Sequence, residues 1–278
     1  MTNIVLTLEN IFMMRIVWLT DIHLNFLRPG QIHEFLQSVS SHEPDAVLIS
    51  GDIGEATDVT RHLREIDGQL RRPVFFVLGN HDFYHGSISQ TRKKVETTAR
   101  NSEFMTWLST AGIVELTSTT GLVGHDSWAD GRYGDYENST VELNDYVLIQ
   151  ELTGLTRRDR LGVLNRLGDE AATYLSRVLP EALKRYTHVI LLTHVPPFKE
   201  ASWYNGKPSG DDGLPHFACK AVGDALLEIM NSNRDARLTV LCGHTHENAQ
   251  ARFLPNLHTI TGGAKYGQPS IQKIIEIP

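Results

Sequence analysis

Residues 73–82 read PVFFVLGNHD, an apolar run that ends in glycine, asparagine, histidine and aspartate. The run has the length of a buried strand and is rich in β-branched and aromatic side chains, which is typical of a strand covered on both faces. The residues that follow it are types that turn the chain, bind metal ions or transfer protons. This stretch therefore predicts a buried strand whose carboxyl end carries reactive side chains.

The same pattern occurs four more times along the chain. The other apolar runs and the residues that follow them are Arg15–Thr20 before Asp21-Ile22-His23, Asp45–Ser50 before Gly51-Asp52, His188–Thr193 before His194, and Arg237–Cys242 before Gly243-His244-Thr245-His246. In open α/β sheets, ligands gather outside the carboxyl ends of the strands. We therefore expect these polar side chains to meet at one sheet edge if the strands are neighbours. The glycines before Asp52, Asn80 and His244 are expected to permit tight turns and close backbone approach.

Amphipathic stretches separate the apolar runs, and this alternation indicates an α/β architecture. Apolar side chains at residues 32, 35, 36 and 39 fall on one face of a helix. Further helices are predicted over residues 58–70, about 87–111, 165–186 and 216–232, and Pro180 is expected to kink or divide the 165–186 helix. Further strands are predicted over residues 113–117, 121–125, 259–262 and 271–277. The last two strands are expected to form a hairpin across residues 262–270, in a second and more antiparallel sheet.

The composition is that of a globular protein. Of the 278 residues, 41% are hydrophobic and 21% are charged, which argues against both a disordered chain and a membrane protein. The formal net charge of -7 provides no broad basic surface, and so disfavours long nucleic acid as a partner. Two cysteines cannot form a disulfide framework or a structural zinc knuckle, and Cys242 is predicted to be a buried free thiol.

One domain is predicted over residues 15–278. Residues 1–14 are interpreted as an N-terminal extension and not as a signal peptide, because they lack a basic start and contain Glu9. A cytoplasmic location is the default expectation. The irregular segment at about 126–160 is long for a connection, and two readings stay open: a lid inserted into the domain, or a plain surface excursion. The sequence does not indicate the oligomeric state.

The polar residues at the strand ends are suited to divalent metal ions. Imidazole and carboxylate groups bind Mn, Fe, Zn, Ni or Co, and oxygen ligands also suit Mg. Taken together, the five groups resemble the motifs of the calcineurin-like metallophosphoesterases, a family that includes purple acid phosphatases and Ser/Thr protein phosphatases. The resemblance covers the chain from about Arg15 to Gly263. It implies a four-layer α/β/β/α sandwich of two mixed β-sheets flanked by helices.

The resemblance also implies a role for each motif residue. The ligands of a first divalent ion would be Asp21, His23 and His246. The ligands of a second ion would be Asn80, His194 and His244. Asp52 would bridge the two ions. His81 would face the substrate, and Asp82 would hold the ring of His81 in orientation.

The implied reaction is hydrolysis of a phosphate ester by attack of a metal-bridging hydroxide. A phosphodiester of a small or nucleotide-like substrate is favoured. The alternatives are a phosphomonoesterase or protein phosphatase that uses the same site, and a non-catalytic metal-binding scaffold. A binuclear hydrolase of the metallo-β-lactamase type is disfavoured, because its His-x-His-x-Asp-His run is missing. The candidate substrate contacts, weighed against ordinary loop packing, are His85, Trp128, Arg132, Tyr133, Trp203 and Tyr204.

Overall fold

The structure is a computed structural model that describes residues 13–278. Its strands are β1 Met14–Leu19, β2 Ala46–Ser50, β3 Val74–Val77, β4 Met105–Trp107, β5 Val114–Glu115, β6 Thr120–His125, β7 His188–Thr193, β8 Trp203–Tyr204, β9 Lys207–Pro208, β10 Arg237–Cys242, β11 Ala249–Leu254, β12 Leu257–Thr261 and β13 Lys273–Ile277. Its helices are α1 Pro29–Ser40, α2 Val59–Leu70, α3 Ile88–Arg100, α4 Leu108–Ala111, α5 Asp145–Leu148, α6 Arg157–Arg185, α7 Leu214–Phe217 and α8 Lys220–Ser232. All but the last two residues of the predicted extension at 1–14 lie outside the described residues, and Met14 already belongs to β1.

Two mixed sheets form the centre of the fold. The first has the strand order β13-β1-β2-β3-β4, in which β1 to β4 are parallel and β13 is antiparallel at the edge. The second has the order β11-β12-β10-β7-β6-β5, in which the four central strands are parallel and both edge strands are antiparallel. The predicted pair of mixed sheets flanked by helices is confirmed, but the second sheet is mainly parallel.

Alternating side chains on the strands build the four layers. On β1, Val17 belongs to the core that includes side chains of α1, α2 and α3, whereas Ile16 belongs to the core between the two sheets. On β7, Leu191 packs with side chains of α6 and α8, and Ile190 lies between the sheets. These strands are apolar on both faces because each face is covered. Burial of one such side chain contributes roughly 1.5–3 kcal/mol.

The predicted helix at about 87–111 was too long. Helix α3 ends at Arg100, and Met105–Trp107 forms β4 beside β3. The Ser102 hydroxyl accepts the backbone N–H groups of Phe104 and Met105, at 3.1 Å each, and so turns the chain from helix into strand. A serine hydroxyl that binds nearby backbone competes with the helix in this way.

The predicted hairpin at the C-terminus was wrong. Strand β12 pairs with β10 and β11, whereas β13 pairs with β1 in the other sheet. Strand β11 was not predicted at all. The segment 262–272 therefore connects the two sheets instead of turning within one.

Helix α6 is a single element of 29 residues, and Pro180 does not divide it. Leu175, Leu179 and Ala182 are fully buried on the side of the second sheet, so packing holds the turn that lacks a backbone N–H. Within residues 13–278, no helix combines the length and the apolar composition needed to cross a bilayer.

Candidate metal centre

The five strands predicted to carry the site come from both sheets. Strands β1, β2 and β3 belong to the first sheet and β7 and β10 to the second, so two facing sheet edges meet at the site instead of one. The backbone at several of these strand ends is left-handed, with positive φ at Asp21 (48°), His23 (40°), Asp52 (54°), His244 (74°) and His246 (59°). A non-glycine residue in this region costs on the order of 1–3 kcal/mol, and such strain concentrates at functional sites.

The first group of candidate ligands lies in one small volume. One ligand atom each from Asp21, His23, Asp52 and His246 lies within 4.8 Å of all the others. The Nε2 atoms of His23 and His246 are 3.1 Å apart, and His246 Nε2 is 3.4 Å from Asp21 Oδ1. His23 Nδ1 is buried and has no hydrogen-bond partner among the described residues. The geometry brings together the donor set that the family resemblance implied for the first ion, together with Asp52.

The second group converges on the Asn80 side chain. Asn80 Oδ1 lies 3.0 Å from His194 Nε2 and 3.0 Å from His244 Nδ1. The other ring nitrogens face backbone carbonyls, which only accept: His194 Nδ1 is 2.9 Å from Ser50 O, and His244 Nε2 is 2.9 Å from His216 O. Each carbonyl therefore selects the tautomer whose free lone pair points at the Asn80 oxygen.

Three acceptor atoms thus face one another with no proton between them, an arrangement that suits a cation. Asp52 completes it, because its Oδ1 lies 3.4 Å from His194 Nε2 and its Oδ2 lies 3.7 Å from His23 Nε2. Burial raises the pKa of Asp52 well above its ordinary value, and the carboxylates of Asp21 and Asp82 raise it further. A buried carboxylate with one oxygen toward each ligand group fits a position between two divalent ions.

The role expected for Asp82 needs correction. Asp82 is fully buried, and its carboxylate accepts the backbone N–H groups of Ile53 (2.9 Å), Gly54 (2.8 Å) and Gly79 (2.8 Å). These bonds occupy both oxygens and join the loops that carry Asp52 and Asn80. Burial raises the pKa of Asp82 to about 7, although the three N–H groups act to lower it. Asp82 therefore holds the two loops together and does not hold the ring of His81.

His81 lies at the edge of the cleft beside the centre. Its backbone N–H donates to Asp52 Oδ1 at 2.9 Å, and its ring packs on Tyr84 with centroids 4.2 Å apart. Its Nε2 is 3.4 Å from the hydroxyl oxygen of Tyr266. Burial, followed by the neighbouring His23 and His194, lowers the pKa of His81 below its ordinary value.

The cleft has a volume of about 320 Å³, and four aromatic rings line it beside histidine, amide and carboxylate side chains. Tyr84, Tyr204, Phe217 and Tyr266 contribute rings, and the Tyr204 and Phe217 centroids are 5.3 Å apart. No lysine or arginine is among the described residues that line it. Tyr204 was a predicted substrate contact. No motif in the sequence identifies Tyr84 or Phe217.

Trp128 and Arg132 are held away from this cleft. Trp128 is buried and packs against Phe83, with ring centroids 5.6 Å apart, because its apolar ring completes the core beside the first sheet. The guanidinium of Arg132 is bound by Asp130 at 2.9 Å and by Asp169 at 2.8 Å. Neither side chain is among the residues that line this cleft.

The other predicted contacts also point elsewhere. His85 is exposed, with its Nε2 3.8 Å from a Glu55 carboxylate oxygen. The Trp203 indole donates to the backbone carbonyl of Glu200 at 3.2 Å, and half-buried Tyr133 is likewise not among the cleft-lining residues described. None of these three side chains is among the residues that line the cleft.

Comparison with known proteins identifies the family and the fold. The calcineurin-like phosphoesterase family profile matches residues 14–248. An uncharacterized metallophosphoesterase of Campylobacter jejuni is 34% identical over 77 residues, a match that spans 26% of this chain and only 21% of that protein. A phosphopantetheinyl hydrolase from Mycobacterium tuberculosis has a similar fold, with TM-score 0.64, 14% identity and coverage of 94% of this chain and 95% of that one.

A dimetal phosphatase from Danio rerio shares the fold as well, with TM-score 0.55 and 16% identity over 90% of this chain and 87% of that one. At these identities the solved structures show the fold alone, whereas the family profile covers most of the chain. The chain belongs to the calcineurin-like phosphoesterase family, the metal-dependent hydrolases of phosphoric esters.

Proposed function

We propose that this chain hydrolyses phosphodiesters of small substrates at a centre of two divalent ions. The first ion would be bound by Asp21, His23 and His246, and Asp52 would bridge the pair. The second would be bound by Asn80, His194 and His244. The observation that carries the diester preference is the aromatic cleft beside this centre, which lacks lysine and arginine among its described lining residues.

Charge favours a diester over a monoester. A phosphodiester carries a single negative charge, whereas a phosphomonoester carries about −1.5 to −2 near neutral pH. Sites for such dianions commonly add arginine or lysine donors to bind the extra charge. This cleft instead presents Glu142 and several aromatic rings, which suit a neutral, planar ester substituent. Its volume also lies within the usual range for small-molecule sites, roughly 300–1,000 Å³.

The metal ions, when bound, would supply Lewis acidity and activate the attacking water. The contribution of the chain is orientation and hydrogen bonding. Asp52 and the two ligand groups fix the ion positions, and His81 directs a ring nitrogen into the cleft beside Tyr266. From there His81 would donate a hydrogen bond to a phosphoryl oxygen or to the leaving oxygen.

The test is a comparison of bis-p-nitrophenyl phosphate with p-nitrophenyl phosphate, each with added Mn²⁺, Ni²⁺, Zn²⁺ or Mg²⁺. We expect kcat/KM to be larger for the diester with at least one of these ions, and both activities to disappear in Asp52→Asn together with the bound metal. A larger value for the monoester would favour the phosphomonoesterase alternative. Metal-loaded protein that cleaves neither ester would favour the non-catalytic scaffold.

A further inference from the structure

The amide group of Asn80 is hydrogen-bonded by a residue of the irregular segment at about 126–160. Asn80 Nδ2 donates to Asp145 Oδ1 at 2.8 Å, and it also lies 3.3 Å from the hydroxyl oxygen of Tyr84. The Tyr84 hydroxyl itself donates to the same Asp145 oxygen at 2.8 Å. Asp145, at the start of α5, is buried. Asp145, Tyr84 and the NH₂ group of Asn80 thus form a closed triangle on the side of the amide opposite its metal-facing oxygen.

This triangle determines which end of the amide faces the metal position. An ionised carboxylate only accepts hydrogen bonds, so Asp145 binds the NH₂ end of the Asn80 amide and leaves its oxygen toward His194 and His244. A flipped amide would direct its N–H groups at the ion and its oxygen at a carboxylate. A neutral amide oxygen is a modest ligand, and a carboxylate that binds its N–H group increases the negative charge on that oxygen.

Asp145 is not needed to attach its own segment to the domain. The Glu151 carboxylate accepts the backbone N–H of Ile88 at 2.9 Å, at the start of α3. The backbone N–H of His85 donates to Leu148 O at 2.9 Å, and that of Gln150 donates to Gly86 O at 2.9 Å. Four residues after Asp145, Ile149 is fully buried in the core. The segment is therefore anchored on both backbone and side-chain contacts outside the triangle.

We propose that Asp145 and Tyr84 are positioning residues of the second metal site, acting through Asn80. This inference rests on the proposed function, since it assumes that Asn80 binds an ion. The 126–160 segment would then contribute to the metal centre by orienting the side chain of Asn80. Asp145 does not touch the ion, and its effect is transmitted by the orientation and polarity of the amide.

The experiment is a titration of the metal-free protein with Mn²⁺, in which electron paramagnetic resonance counts the free ion. Wild-type protein is expected to bind two equivalents. The near-isosteric Asp145→Asn variant should bind one of them about 10- to 100-fold more weakly, the usual effect of losing a hydrogen-bond partner behind a metal ligand. Tyr84→Phe keeps the ring and should show a smaller loss at the same site. Glu137→Gln removes an exposed carboxylate from the same segment and serves as the matched control.

The melting temperature of the metal-free forms separates positioning from folding. Asp145→Asn is expected to melt within a few degrees of wild type, because the segment keeps its other anchors. If both variants bind both equivalents of Mn²⁺ as tightly as the wild-type protein does, the inference is overturned and the proposed function is unaffected. The inference is also overturned if both variants bind Mn²⁺ more weakly but their metal-free forms melt at much lower temperatures than the wild-type protein. Failure of the wild-type protein to bind two equivalents would instead refute the proposed metal centre.

Discussion

Gly79 is a position at which one added methyl group should damage the metal centre directly. A Cβ at this residue would lie 2.1 Å from Asp52 Oδ1, 2.6 Å from His194 Cε1 and 2.7 Å from the backbone nitrogen of Asp52. Contacts of this kind normally begin near 3.5 Å, so the neighbours would have to move by roughly 1 Å. Both neighbours are buried, and the nearest is the proposed bridging carboxylate.

The expected cost of Gly79→Ala is that of overpacking a core, about 1–3 kcal/mol. For a chain of this size, that corresponds to a decrease in melting temperature of roughly 2–10 °C. We expect a larger effect on metal content, because displacement of Asp52 alters the ligand set of both ions. The assay is thermal unfolding of the metal-free protein, together with elemental analysis of protein reconstituted with Mn²⁺.

Gly68→Ala is the matched control. Gly68 lies in α2, and a Cβ there would meet nothing within 4 Å. Alanine in a helix interior is more stable than glycine by roughly 0.5–1 kcal/mol, so this variant should melt slightly higher and keep its metal. If Gly79→Ala binds both ions and melts at the wild-type temperature, the close packing of Gly79 against Asp52 does not govern the site.

Further predictions concern catalysis, thiol reactivity and pH. His81→Ala should lower kcat/KM for a diester by about 10²–10⁴-fold while metal content measured by elemental analysis is retained; a wild-type rate would show that the cleft does not need this ring. Cys219 and Cys242 are fully buried, and burial raises the pKa of each thiol to about 12, so neither should react with DTNB until the protein unfolds; prompt reaction of the native protein would contradict their burial. His188 Nε2 lies 3.0 Å from Thr239 Oγ1, and burial lowers the pKa of His188 from 6.5 to about 4. The folded state therefore disfavours protonation of His188. The free energy of unfolding should be highest above pH 6.5 and should fall by on the order of 1 kcal/mol, after solvent screening, as the pH drops toward 4. In chemical denaturation, the free energy of unfolding of His188→Gln should fall less than that of wild type over this pH range. An identical fall in both proteins would exclude His188 as a source of the pH dependence.

The features that the sequence predicted well are local ones. A buried strand and the polar turn after it are adjacent in the chain, so the apolar runs and the residues that end them could be identified without knowledge of any partner. The close approach predicted for the glycines is likewise a property of single turns, and it is confirmed at Gly51, Gly79 and Gly243.

Features that depend on distant pairing could not be predicted in the same way. Strands β12 and β13 are close in sequence, which suggested a hairpin, but β12 pairs within the second sheet and β13 pairs with β1 at the edge of the first. Asp82 follows His81 directly, yet the turn at His81–Phe83 sends its carboxylate toward the backbone of another loop. Asp145 has no motif around it, and only the folded chain brings it to Asn80.

The order of the candidate ligands along the chain has a consequence for how the metal centre can assemble. Each proposed ion needs a residue from the loop after β10, since His244 and His246 belong to opposite ligand groups. A ribosome-bound chain that ends before this loop can assemble neither set, however long its earlier half has been exposed to cellular metals. Truncation before residue 244 should therefore remove a ligand from both sets in one step.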